Sequence, residues 1–198
     1  MEQIDRRVRR TKKSLGDALI ALALEKGYEA ITIQEITDRA DIGYRTFFRH
    51  YSDKDELLKD VLRATMRELR ELMAPPKPEF FSDPNLKATD WKDGVVLFRH
   101  VQEHSNLYRV LLRSERTFIE SIIEFTTQEI KANLGLLIEL EPYIPVEIIA
   151  NHMVSATLAL VRWWLDTDMS YPPEVMGEYA FRLIAQPIRE MVMQALSK

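Results

Sequence analysis

Hydrophobic positions recur at helical rather than alternating spacing along the chain. Leu15, Ala18, Leu19 and Leu22 share one face of a segment from about Arg9 to Lys26, and Gly27 supplies its stop. Thr32-Ile33-Gln34-Glu35 has the form of a capping box, in which the threonine hydroxyl takes an orphan amide and the glutamate reaches back. It opens a short helix with Ile33, Ile36 and Ala40 on the inner face. Asp41-Ile42-Gly43 reads as a tight turn. A second short helix follows from Tyr44 to about Tyr51, with Phe47 and Tyr51 pointing inward. Ser52, with Asp55 at the reciprocal position, is expected to cap a longer helix that runs to about Met73.

Proline divides the chain. None occurs before Pro75, and the segment 74–90 holds four, so it cannot continue a helix. Helices are predicted beyond it near 90–103, 106–114, 116–140, 146–168 and 173–196. In the fourth of these, Ile149, Met153, Ala156, Leu160 and Trp163 repeat as a heptad-like seam. The last carries an apolar face of Met176, Ala180, Leu183, Ile184, Ile188 and Met191, with a kink expected at Pro187. The fold class is therefore all-α. Residues 1–54 form an N-terminal three-helix head, a helix to about 73 connects, 74–90 is a Pro-rich connection, and 91–198 form a C-terminal helical bundle.

Composition narrows the function. The 198 residues carry a formal charge of −4, split as +2 over residues 1–54 and −6 over 55–198. Arg6, Arg7, Arg9, Arg10, Lys12 and Lys13 give the first 13 residues a local +4, the footprint of a polyanion-binding arm on an acidic body. The six glycines are too scattered for a dinucleotide fingerprint, a phosphate-cradling loop or a G-x-S-x-G elbow. The absence of cysteine removes disulfides, thiolate zinc sites and cysteine nucleophiles. The N-terminus is too charged for a signal peptide, and the most apolar run, Met153 to Leu165, is broken by Arg162. No membrane association is expected, and the cytoplasm is the expected location.

Two short helices joined by a glycine-containing turn make a helix-turn-helix pattern. With Phe47 and Tyr51 in the core, Tyr44, Arg45, Thr46, Phe48, Arg49 and His50 remain on the outer surface and around the helix start. That mixture is costly to bury and suits base edges and phosphates in a major groove. The string ITIQEITDRADIGYRTFFRHYSDKDELL, preceded by a helix ending in KGYEAITI, resembles the DNA-binding signature of the TetR family of bacterial transcriptional regulators over residues 9 to 60. The resemblance implies a homodimer on a pseudo-palindromic double-stranded operator, with its heads in successive major grooves. It also implies dimerisation through the last two long helices, an unknown small-molecule effector bound in the C-terminal domain, and in most cases repression. Transferred by position, phosphate contacts fall on Thr32, Gln34, Gly43, His50 and Lys54, and base-reading positions on Tyr44, Arg45 and Thr46. Three positions depart from the family pattern. Arg45 stands where a small residue is common, Phe48 where tyrosine is frequent, and Gly43 where a serine or threonine cap is usual. No operator sequence can therefore be borrowed from a relative.

Effector-site candidates are Phe98, Tyr108, Phe118, Asn151 and His152, among aromatic residues most of which belong to the core. His100-Val101-Gln102-Glu103-His104 matches H-x-x-E-H, and its imidazoles share one helical face. No downstream carboxylate stands out as a third ligand. The expectation is a histidine pair near a helix end, steadied by the helix dipole and solvent, with no metal, no cofactor and no catalytic residue. An alternative is a small-molecule-binding or enzymatic helical protein whose helix-turn-helix is merely structural, which predicts no salt-sensitive, sequence-selective DNA binding. A third reading is a regulator controlled by a protein partner or by its own abundance.

Overall fold

The computed structural model describes residues 6–73, 92–114, 124, 127–128 and 144–196, and every regular element among them is helical. They are α1 (Arg6–Lys26), α2 (Ile33–Ala40), α3 (Tyr44–Phe48), α4 (Lys54–Leu72), α5 (Lys92–Glu103), α6 (Ser105–Ser114), α7 (Val146–Asp166), α8 (Pro173–Ala180), a π-helical turn (Phe181–Ala185) and α9 (Gln186–Leu196). The Pro-rich segment 74–90, Phe118 and nearly all of the helix expected at 116–140 lie outside the described residues. The chain divides into two compact units. One holds Met1–Arg70 with Asn106–Ser114; the other holds Glu71–Ser105 with Glu115–Lys198.

The first unit is built on the apolar face of α1. Leu15, Leu19, Ile36, Phe47 and Leu57 are fully buried together, so one core joins α1, α2, α3 and α4. Gly16 permits the close approach of α4: a Cβ there would meet Val61 Cγ2 at 2.7 Å. Gly27 ends α1 in the left-handed region (φ 82°), and its amide donates to the Ala23 carbonyl at 3.0 Å. The capping box of α2 forms as the pattern predicts. Glu35 N–H donates to Thr32 Oγ1 (3.3 Å) and Thr32 N–H to Glu35 Oε2 (2.9 Å).

At α4 the cap falls one residue later than Ser52. Glu56 N–H donates to Asp53 Oδ1 (2.7 Å), while Glu56 Oε2 accepts from the Ser52 amide and hydroxyl (2.7 and 2.9 Å). The Asp53 carboxylate reaches the amide of the first turn directly, and a negative charge suits a helix N-terminus. Asp55 is thereby released, and it accepts a hydrogen bond from the Tyr28 hydroxyl.

The second unit centres on Trp164, which meets Phe98 edge-on at 5.3 Å between ring centres and donates its indole N–H to the Tyr171 carbonyl at 2.8 Å. That bond folds the connection after α7 back onto the helix, through Asp168 and Met169 in the left-handed region. Pro172 and Pro173 then start α8 where a missing amide costs nothing. Gly177 lets α8 lie against α5, because a Cβ there would sit 2.8 Å from the Val95 backbone nitrogen. The turn Phe181–Ala185 adopts π geometry, with the Gln186 amide donating to Phe181 O, immediately before Pro187. Proline has no N–H to offer its own turn, and the wider turn absorbs that irregularity.

The expectation that no apolar stretch reaches membrane-spanning length does not hold. The stretch Glu147–Asp166 is long and apolar enough, by length and composition, to cross a membrane. A single Arg162 does not dilute so apolar a run. Ala150, Val154, Val161, Trp164 and Leu165 of this helix are buried in the second unit, and its other described residues are exposed or partly covered.

Candidate nucleic-acid interface

Two anchors fix the short helix α3. Phe47 is fully buried, and Tyr51 follows it into the core with its hydroxyl donating to Asp60 Oδ2 at 2.7 Å. Burial, and then the neighbouring Asp60 carboxylate, push the Tyr51 phenol well above its ordinary range, so it stays a protonated donor. Burial alone would raise the Asp60 carboxyl. The hydrogen bonds from Tyr51 and Lys12 outweigh it and hold that carboxyl below the usual range. Lys12 reaches the same oxygen at 2.9 Å and lies 5.2 Å from the centre of the Tyr51 ring. The basic N-terminal helix is thus pinned beside α3 by a three-residue cluster.

With Phe47 and Tyr51 inside, the opposite flank faces out. Tyr44 and Phe48 are each 47% exposed, although both are large and aromatic, and they meet edge-on at 5.1 Å. Arg45 and Arg49 are exposed, and Thr46 and His50 are half-buried at the margin. Gly43 precedes the helix in an extended conformation with no side-chain cap (φ −60°, ψ 137°), and the Thr46 amide bonds back to its carbonyl at 2.7 Å. Asp41 supplies the left-handed residue of the turn (φ 54°). Thr32 and Gln34 are exposed at the start of α2, with the Gln34 amide donating to Asp38 Oδ1 at 2.6 Å.

His50 is partly desolvated and lies near the positive charges of Lys12 and Arg49, which hold its pKa below the ordinary 6.5. Lys54 sits differently from a free phosphate contact. Its ammonium donates to the carbonyls of Tyr28 (3.1 Å), Glu29 (3.2 Å) and Ile31 (3.3 Å) and packs 4.7 Å from the Tyr28 ring centre. An ammonium has three donors, so all are committed to the α1–α2 connection that presents Thr32. Nothing in the sequence pattern marks that clamp except the lone buried Tyr28. Arg6, Arg7, Arg9 and Arg10 are exposed on the first turns of α1, which begins at Arg6 rather than near Arg9. Their charges therefore project from a helix rather than from an irregular arm.

The described effector candidates belong to both units. Phe98 is buried against Trp164 in the second unit, and Tyr108 is buried in the first. Asn151 and His152 are exposed on α7, where Ser155 Oγ donates to Asn151 Oδ1 at 3.2 Å.

Comparison with known proteins agrees with this geometry. Residues 15–61 match the model of the bacterial regulatory proteins of the tetR family, and residues 89–186 match that of a transcriptional regulator C-terminal region. The chain is 27% identical over 178 residues to the uncharacterized HTH-type transcriptional regulator YxbF of Bacillus subtilis, covering 89% of this chain and 45% of that protein. It is 25% identical over 135 residues to an uncharacterized HTH-type transcriptional regulator of Haemophilus influenzae, covering 68% of this chain and 64% of the relative. The chain thus spans about half to two thirds of the length of these curated relatives. Among solved structures, a TetR transcriptional regulator from Streptococcus agalactiae shares the fold with a TM-score of 0.58 at 22% identity, covering 91% of this chain and 96% of that one. With a family match on the helix-turn-helix head and another across the C-terminal helices, the chain belongs to the TetR family of bacterial regulatory proteins.

Proposed function

We propose that this protein is a sequence-specific DNA-binding transcriptional regulator, a ligand-responsive repressor that acts as a homodimer on a pseudo-palindromic operator. The observation that carries this reading is the split of α3: Phe47 and Tyr51 anchor it, while Tyr44, Arg45, Phe48 and Arg49 face solvent. A rod this narrow, with a cationic and aromatic flank, fits a major groove. In this reading Arg45 takes a guanine edge, and Tyr44 and Thr46 contact neighbouring bases. Thr32, Gln34, the Gly43 backbone and His50 hold phosphates. Lys54 acts through the carbonyls it clamps rather than by direct contact. The exposed arginines of α1 add sequence-independent attraction.

The half-exposed seam on α7 supports dimerisation. Ile149, Met153, Ala156 and Leu160 are only partly covered and Trp163 is 46% exposed, beside the flank of the same helix on which Ala150, Val154, Val161 and Leu165 are buried. An effector bound in the C-terminal domain would shift the dimer between states whose heads do and do not fit the operator. It can do so only by its differential affinity for the two. The protein would work as a binding protein in the cytoplasm, where operators lie, and not as a catalyst.

The test is selection of genomic fragments with purified protein at physiological salt. Recovery of a common palindromic sequence is the expected result. Uniform, weak retention of all fragments would favour the helical protein whose helix-turn-helix is only structural.

A further inference from the structure

The H-x-x-E-H motif of α5 is not absorbed by DNA binding, and its surroundings differ from those expected of a solvated histidine pair. His100 is 1% exposed, on the same helix as the buried Phe98 and Val101. His104 lies half-buried one turn later, and its amide donates to the His100 carbonyl at 3.0 Å, so the helical path carries through both residues. Side chains four residues apart on such a path share a face. The two rings are 4.6 Å apart between centres, and a nitrogen of one lies within 4.8 Å of a nitrogen of the other.

Two imidazoles held this close on one face can offer their ring nitrogens to one shared cation. A tetrahedral zinc with Zn–N bonds of about 2.0–2.1 Å needs its nitrogens roughly 3.3 Å apart. A modest turn of the half-buried His104 ring covers that difference. Neutral imidazole selects borderline ions such as Zn²⁺, Ni²⁺ and Co²⁺ over Mg²⁺ or Ca²⁺, which prefer oxygen donors.

We propose that His100 and His104 chelate one divalent transition ion per chain, with His100 as the inner ligand and His104 as the outer one. The remaining coordination positions are then open to water or to an oxygen or nitrogen donor of a small molecule. This site stands independently of the DNA-binding reading, and either can fail alone.

The experiment is a Co²⁺ titration of the tag-free full-length chain, followed by visible ligand-field absorption, with Zn²⁺ competition. The sequence holds four histidines, so the His50→Gln/His152→Gln double variant leaves only this pair. The expected result is saturation at one ion per chain in both proteins. His104→Asn should weaken binding at least about tenfold. His104→Cys should restore it and add a thiolate-to-cobalt charge-transfer band. The proposal is overturned if the wild-type chain gives no ligand-field spectrum, if the double variant loses it, or if His104→Asn binds as tightly as wild type. Should His104→Asn not fold, the double variant and His104→Cys decide the question by the same readout.

Discussion

In the function proposed above, Arg45 is the residue on which specificity turns. It is exposed at the start of α3, where the resemblance implies a position facing bases. Arg45→Ala should weaken operator binding by about 1–3 kcal/mol and relax discrimination at one base pair, as lost guanine recognition would. Equal loss on operator and random duplex in anisotropy titrations would mean that Arg45 touches only phosphate. His50 makes a second prediction with a defined sign. In the free protein its pKa is held below 6.5, first by desolvation and then by Lys12 and Arg49. A phosphate in contact would favour the charged ring and raise that pKa, so binding would take up a proton. Operator affinity should therefore rise as pH falls from about 7.5 toward 6 and below, at constant ionic strength, and His50→Gln should flatten that slope. Identical pH profiles for the two proteins would remove His50 from the contact surface.

At the scale of elements, caps and close approaches carry the testable energetics. Glu35 closes the capping box of α2, and its pKa is lowered from 4.5 to about 2, chiefly by the Lys26 hydrogen bond and then by the Thr32 amide and hydroxyl. Because the folded value is depressed, its stabilising contribution is complete above 4.5 and is lost as pH falls toward 2. Glu35→Gln should be less stable than wild type at neutral pH, with the gap closing across that acidic window in urea unfolding. In the second unit, Gly177→Ala should cost about 1–3 kcal/mol despite alanine's better helix propensity. The new methyl would meet Val95 backbone nitrogen at 2.8 Å and the Gly94 carbonyl carbon at 3.1 Å, so α8 would have to move away from α5. These elements also show where sequence is readable. Periodicity located the α1 core face and the anchors Phe47 and Tyr51, because spacing alone sets which side of a helix is apolar. The capping box of α2 was legible because its bonds are local. The α4 cap shifted to Asp53 and Glu56 because neighbouring polar residues compete for the same amides, and the winner depends on a fraction of an ångström. The carbonyl clamp made by Lys54 was not legible, because its three partners lie more than twenty residues away in the chain. Burial of His100 was equally hidden, since the spacing of the motif puts both rings on one face without saying what that face meets.

At the scale of the whole molecule, the remaining question is what covers the outer face of α7. Trp163 stacks on Tyr171 at 6.0 Å, and Tyr171 meets Tyr179 at 5.8 Å, so three aromatic rings form a continuous exposed row. Leu183, 63% exposed, adds to the apolar surface of the same unit. Contiguous exposed aromatic and aliphatic groups on a rigid helical face are what a stable interface buries, and a second copy of the same face is the simplest complement. A TetR-type operator needs two heads held together, so removing this association should disable DNA binding without touching α3. The Trp163→Glu/Leu183→Glu variant places one carboxylate opposite its symmetry mate at each position, if the face pairs about a two-fold axis. It should sediment as a monomer at concentrations where wild type is dimeric. Its operator affinity should fall by at least about a hundredfold, toward that of a single half-site, because the second head no longer binds at high effective concentration. Its helical circular dichroism should be unchanged, since both side chains already face outward. A variant that stays dimeric and keeps full operator affinity would show that the two chains meet elsewhere and that the aromatic row serves another partner.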